Sequence, residues 1–255
     1  MFPDMEQQLQ AVRQADTEAE IARRLNAVEK PPGFVIGGPV DQSLGTYTVA
    51  IMGVPRGGTT MVAGVAQLLG LAIGEDLGHN LEDADFDRKP VPHMIAAAAA
   101  RDSQRQVWGW KFPSAAKYMG RLQPHLRNPR VVMVWRDPLT AASRKISAVS
   151  RLASRPAVHT EAVLDGLAFM VERQADNLAY LREAGCPVYL VSYEKALRRP
   201  EAFIRQLADF IGIAAPRGCV GHRRQYSARV LQGRKPSFGL TAQLHELNGA
   251  RLNGN

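Results

Sequence analysis

The sequence predicts an α/β fold of three layers, with a central, mostly parallel sheet flanked by helices. Two observations carry this. Short apolar runs alternate along the chain with segments of helical periodicity, the pattern that βα repeats leave. The clearest runs, Tyr47 to Met52, Val131 to Trp135 and Val188 to Val191, are nearly continuous in apolar character, as expected of strands covered on both faces. The composition agrees. Of 255 residues, 45% are hydrophobic and 22% charged, which excludes a disordered chain, a collagen-like repeat and a disulfide scaffold.

In chain order, residues 5–29 read as a helix, because Leu9, Val12, Ala15, Ala19, Ala22, Leu25 and Val28 recur every three or four positions. Pro31-Pro32-Gly33 ends it, and the Gly- and Pro-rich stretch 33–45 reads as a connecting loop. Tyr47 to Met52 is the first strand, Gly53 to Gly58 a turn, and Thr59 to Leu69 a helix with Val62, Val65, Leu68 and Leu69 on one side. Residues 74–92 are acidic and irregular. The alanine run 96–100 predicts a helix over 93–104.

The second half repeats the alternation: a strand over 107–111, a helix over 115–122, a strand over 131–135 and a helix over 139–151. A long helix over 160–184, a strand over 188–191 and an amphipathic helix over 200–211 complete it. No repeat of fixed period and no central linker is present. The organisation expected is therefore an N-terminal helix and loop, 1–45, before a single α/β domain, 46–255, whose last segment is basic. Between Arg217 and Lys235 there are six Lys or Arg and no acid, a stretch that reads as a disordered tail, a solvated face or a lid over an anionic ligand.

The formal charge is +8, so anionic partners are expected: nucleic acid, a membrane surface, or a phosphorylated or sulfated small molecule. The basic residues are scattered and form no nucleic-acid-binding motif, which argues against nucleic acid, and charge alone does not choose between the other two. Cys186 and Cys219 have neither CxxC nor zinc spacing and read as reduced thiols. No apolar run approaches the ~20 residues of a membrane span, and the N-terminus lacks a signal-peptide pattern. A cytoplasmic protein is expected.

The chemistry concentrates at strand ends. Gly53-Val-Pro-Arg56-Gly57-Gly58-Thr59-Thr60 joins a strand to a helix. Such a loop turns backbone N–H groups toward one point, and the helix adds its positive end, so an anion is stabilised there. The spacing makes the fold one of P-loop type. A nucleotide-hydrolysing P-loop, however, has Lys where Thr59 stands. Here the cation is Arg56, inside the loop, and the strand 131–135 runs into Arg136 before Asp137. The loop therefore reads as built for a short anionic group held without a metal. Arg136, at a strand's carboxyl end, points toward the crevice where α/β sheets bind ligands, and its guanidinium forks onto phosphate. Ser143 follows in the next helix. Tyr193-Glu194 follows the strand 188–191 and places an aromatic ring at the same edge.

Taken together, Pro55-Arg56-Gly57-Gly58-Thr59-Thr60, Arg136…Ser143, Tyr193-Glu194-Lys195-Ala196-Leu197 and Phe210-Ile211-Gly212-Ile213 resemble the motifs of sulfotransferases that use 3′-phosphoadenosine-5′-phosphosulfate (PAPS), bacterial types included. The resemblance spans residues 46–213. It implies that Arg56, Gly57, Gly58, Thr59 and Thr60 hold the 5′-phosphosulfate, that Arg136 and Ser143 hold the 3′-phosphate, and that Tyr193 lies near the adenine. The Arg-to-Ser gap is one residue shorter than in the family, which leaves Arg144 or Ser147 as substitutes for Ser143. The family's closing loop has a partial echo in Arg234-Lys235, without the following glycine.

In-line sulfuryl transfer needs a positioned donor, electrostatic stabilisation of the leaving group and a base for the acceptor proton. The end of the strand 107–111 reads Lys111-Phe112-Pro113, so Lys111 is placed to touch the transferring group. The base is expected in the acidic segment after the loop helix: Glu82 first, from the pair Glu82-Asp83 that a bacterial branch also carries, then Asp76 and Glu75. The expected activity is sulfuryl transfer to a hydroxyl or amine of a small-molecule, carbohydrate or lipid acceptor. The alternative is an ATP- or GTP-dependent kinase with an atypical P-loop.

Overall fold

The computed structural model describes residues 31–75, 77–78, 80–144 and 160–213. The helix expected over 5–29, the end of the helix expected over 139–151 and the basic segment from 217 onward lie outside them, as do Asp76, Ser147, Cys219, Arg234 and Lys235. The chain divides into two compact units after Pro31, and the fold described belongs to the second.

Five strands form one sheet: β1 (Gly33–Ile36), β2 (Tyr47–Met52), β3 (Val107–Lys111), β4 (Arg130–Trp135) and β5 (Val188–Ser192). Their spatial order is β1-β5-β4-β2-β3. Strands β2 to β5 are mutually parallel, and β1 pairs antiparallel with β5, Gly33 opposite Val191. The expected connecting loop over 33–45 therefore needs correcting at its start, because Gly33–Ile36 is an edge strand.

The helices are α1 (Thr59–Leu68), α2 (Val91–Gln104), α3 (Ala116–Leu122), α4 (138–144 within the described residues), α5 (Thr160–Glu183), α6 (Tyr193–Arg198) and α7 (Pro200–Ile211). Alternate residues of the buried strands feed two cores. Val49, Ile51, Val132, Val134, Tyr189 and Val191 pack under α1, α6 and α7 with Met61, Val62, Ala66, Ala196, Phe203 and Leu207. Ala50, Met52, Val131, Met133 and Val188 face the other way, against Met94, Ala98, Met119, Leu122 and Tyr180 of α2, α3 and α5. This is the three-layer arrangement expected: continuous apolar strands exist because both faces are covered.

The amino ends of the strands are locked by a polar staple. The Arg130 guanidinium lies 3.6 Å from the Tyr47 ring centre and donates to the carbonyls of Phe210 and Asp41. The Tyr47 hydroxyl donates to the Ile211 carbonyl at 2.5 Å. The end of α7 is thereby tied to the start of β2 and β4, and the opposite, carboxyl edge of the sheet is left for chemistry.

Candidate functional site

Because β2, β3, β4 and β5 run the same way, whatever follows each of them gathers at one edge. The loop 53–58 follows β2, Lys111 ends β3, Arg136 follows β4 and Tyr193 follows β5. Strands β2 and β4 are neighbours although β3 intervenes in sequence and lies on the far side of β2. That reversal opens the crevice where open α/β sheets bind ligands.

The loop is braced at both ends. The Gly53 N–H donates to the Pro113 carbonyl beyond β3 (3.0 Å), and the Gly57 N–H donates to the Val54 carbonyl (2.9 Å). Arg56 is exposed and sits at φ 60°, a conformation that L side chains rarely adopt. Gly58 caps α1 at φ 96°. Thr59 is buried, and the exposed Thr60 donates its hydroxyl to the Asn80 carbonyl (3.2 Å), which ties α1 to the acidic segment. The N–H groups of Gly58, Thr59 and Thr60 have no backbone acceptor among the described residues, so the positive end of α1 is open to an anion.

Arg136 supports this loop from below. It is 4% exposed. Its Nη1 donates to the Arg56 carbonyl (2.9 Å), and its guanidinium stacks 4.2 Å over the Tyr193 ring centre. Burial holds it below the ordinary arginine value, with the Arg144 charge acting in the same direction, yet a guanidinium stays protonated. The Arg136 Nε–H has no hydrogen-bond partner among the described residues; Glu194 Oε1 lies 3.9 Å away. An orphaned donor beside a phosphate-type loop fits an anion. Gln174 of α5 donates to the Arg136 carbonyl (2.6 Å), and Asp137 caps α4 by accepting from the Thr140 N–H (2.7 Å). The turn that presents Arg136 is therefore held from two sides.

Tyr193 is buried between Arg136 and Gly58. A Cβ on Gly58 falls 2.1 Å from the Tyr193 ring. Gly58→Ala is expected to combine this clash with backbone strain, destabilising the fold by about 1–3 kcal/mol and loosening the loop. A double-mutant cycle of melting temperatures checks it: Tyr193→Ala in the same chain recovers the steric part. Unchanged melting of Gly58→Ala would show that the ring does not hold the loop. Ser143 lies exposed on α4 and donates to the Leu139 carbonyl (2.8 Å).

The candidate proton-transfer pair lies beside the loop. Lys111 is 1% exposed and donates from Nζ to Glu82 Oε1 at 2.8 Å. Burial pushes the Lys111 ammonium below the ordinary lysine value, and the bond to Glu82 opposes the shift. The Glu82 side chain is 28% exposed, so it meets both the buried lysine and solvent. Its sequence neighbour does something different. Asp83 is buried and accepts from Arg101 at 2.5 and 3.1 Å, and Arg101 also reaches Asp85 (2.8 Å) and stacks over Phe86 and Trp108. This cluster pins the acidic segment and so fixes Glu82 against Lys111. Glu75 pairs with Arg105 (3.4 Å) on the exposed surface. Sequence reasoning missed the roles of Arg101 and Gln174, because their partners lie 18 and 38 residues away with no local pattern to link them.

Asp83→Ala is expected to strip a buried guanidinium of its main partner and cost about 3–5 kcal/mol. Chemical denaturation measures it, and a loss under about 1 kcal/mol would contradict the structural role.

A mostly parallel sheet flanked by helices, with a glycine-rich loop leading into a helix at its switch point, is an α/β fold of the P-loop type. The chain belongs to the sulfotransferase family, whose model matches residues 73–217, more than half of the sequence. Sulfuryl transfer is its general chemistry, and its members typically take the sulfuryl group from a nucleotide donor. Similar solved structures include a sulfotransferase from Alicyclobacillus acidocaldarius, at 14% identity over 74% of this chain and 96% of that one, with a TM-score of 0.42. Another is a sugar kinase from Janibacter sp., at 18% identity over 67% of this chain and 96% of that one, with a TM-score of 0.37. No curated protein matches. Among the described residues no helix is long and apolar enough to cross a membrane.

Proposed function

We propose that the protein transfers the sulfuryl group of PAPS to a hydroxyl or amine of a small-molecule, carbohydrate or lipid acceptor. One observation supports this above the others. Two anion-binding features, the loop with the open end of α1 and the orphaned donor of Arg136, meet at one sheet edge beside the Lys111–Glu82 pair. PAPS carries anionic groups at both its 5′ and 3′ positions, and two such features suit it.

When bound, PAPS supplies a sulfur joined to a phosphate leaving group. Arg56 and the N–H groups of Gly57, Gly58, Thr59 and Thr60 orient that phosphate and offset the charge that develops on it. Arg136 addresses the 3′-phosphate together with Ser143 or Arg144, and Tyr193 fixes the Arg136 plane. Lys111 stabilises charge on the transferring group. Glu82 takes the acceptor's proton as the acceptor–sulfur bond forms and the sulfur–phosphate oxygen bond breaks. The products are a sulfate ester or sulfamate, adenosine 3′,5′-bisphosphate and a proton on Glu82.

The direct assay incubates the protein with radiolabelled PAPS and a panel of phenolic, sugar and lipid acceptors. Label is expected to move to at least one acceptor, with stoichiometric release of the bisphosphate. Transfer of the γ-phosphate of ATP to the same panel, with no movement of sulfur, would contradict the reading.

The buried lysine also sets a pH dependence. Burial favours the neutral form, so Lys111 loses its proton below the ~10.4 of a free lysine, and activity is expected to fall along that alkaline limb. Lys111→Arg stays charged and should move the limb to higher pH in a pH–rate profile. An unmoved limb would remove Lys111 from the titrating machinery.

A further inference from the structure

The outer face of α5 carries a seam with nothing against it among the described residues. Leu164, Val171 and Leu178 are 59%, 51% and 44% exposed and lie seven residues apart. They are three of the seven large apolar side chains exposed among the described residues, so exposure is concentrated on this helix. Ala168 and Ala175, also exposed, fall between them, and the spacing of four and three is that of a helix–helix seam. The helix has 24 residues and is about 36 Å long, enough for several layers of contact.

We infer that this face joins a second copy of the chain, with the two α5 helices antiparallel about a two-fold axis. The charges select that partner and that direction. Glu161 and Asp165 stand at the amino end of the seam and Arg182 at its carboxyl end, and none of the three has an ion-pair partner among the described residues. Glu172, beside the seam, is already neutralised by Arg173 at 2.5 Å, and Glu183 lies one position off it. In the antiparallel register Arg182 of each copy lies at Leu164 of the other, between Glu161 and Asp165. Leu178 then sits on Ala168 and Val171 on Ala175, large against small, at two symmetric places each. A parallel pairing sets acid on acid and arginine on arginine, which costs stability instead. One helix pair makes a small interface, at the lower end of those that persist in solution, so the dimer is concentration-dependent.

Sedimentation velocity of the full chain across micromolar concentrations tests this. A monomer–dimer equilibrium is expected. Val171→Glu is expected to weaken it about tenfold or more by placing a carboxylate in an apolar seam, with melting temperature and transfer activity unchanged because the side chain is exposed. Arg182→Glu should weaken it also, and adding Glu161→Arg and Asp165→Arg to that variant should restore it. A monomer at every concentration, or a dimer indifferent to Val171→Glu, overturns the inference. Failure of the triple variant to restore association overturns the antiparallel register, since only that register exchanges the charges into opposite pairs. A monomer that binds phosphatidylcholine vesicles, and loses them on Val171→Glu, overturns it in favour of a lipid partner.

Discussion

Arg136→Ala is expected to abolish useful nucleotide binding while leaving the fold standing. The guanidinium does two things at once. It donates to the Arg56 carbonyl, which holds a loop whose Arg56 sits in a strained conformation. It also carries the orphaned Nε–H offered to an anion. Hydrogen bonds to charged groups contribute about 1.5–3 kcal/mol each, so losing a loop brace and an anion contact together amounts to a weakening of roughly 100- to 20,000-fold. The expected fall in melting temperature is a few degrees, because one carbonyl and one face of Tyr193 lose their cover. Arg136→Lys restores a charge but neither the plane that stacks on Tyr193 nor the second donor, so it should recover only about tenfold. Binding of adenosine 3′,5′-bisphosphate to the three proteins decides it. If Arg136→Ala binds as the unaltered protein does, Arg136 is a structural residue and the nucleotide reading of this edge fails.

Glu82→Gln is expected to lower kcat by about 100- to 10,000-fold, the usual worth of a positioned general base, with bisphosphate affinity within about twofold. The amide still accepts from Lys111, so the local geometry survives and melting should change little, as for other partly exposed positions. The contrast with Asp83 is the informative part. Adjacent carboxylates in one short segment are expected to behave in opposite ways: Asp83→Ala damages stability and Glu82→Gln damages the chemical step. The difference comes from burial and partner, a guanidinium in an aromatic cage for one and a buried amine plus solvent for the other. Single-turnover rates with PAPS measure the effect. A Glu82→Gln protein with an unaltered chemical step would move the base elsewhere in the acidic segment.

Much of this site was legible in the sequence for a simple reason. The loop, Lys111, Arg136 and Tyr193 each follow an apolar run, and once those runs form a parallel sheet their ends must share an edge. The depth at which the side chains sit was not legible. Tyr193 reads equally as a ring near a base or as a packing side chain, and only the structure shows it packed between Gly58 and Arg136. The acidic segment reads with Glu82 ranked first, then Asp76 and Glu75, and only the fold shows Asp83 on Arg101 and Glu82 on Lys111. Strand β1 was missed because four residues among glycines and prolines give no periodicity, and its pairing with β5 joins positions more than 150 residues apart. Helix α6 is six residues long, too short to show a helical repeat, although Ser192 caps it by accepting from the Lys195 N–H.

The central claim is that the β2–β4 edge takes a nucleotide with phosphates at both the 5′ and 3′ positions. Calorimetric titration of the purified protein with adenosine 3′,5′-bisphosphate, and separately with ATP and Mg²⁺, tests it most directly. Tight binding of the bisphosphate with weak binding of ATP is the predicted result. Binding of ATP with none of the bisphosphate would contradict the claim and return the loop to a kinase.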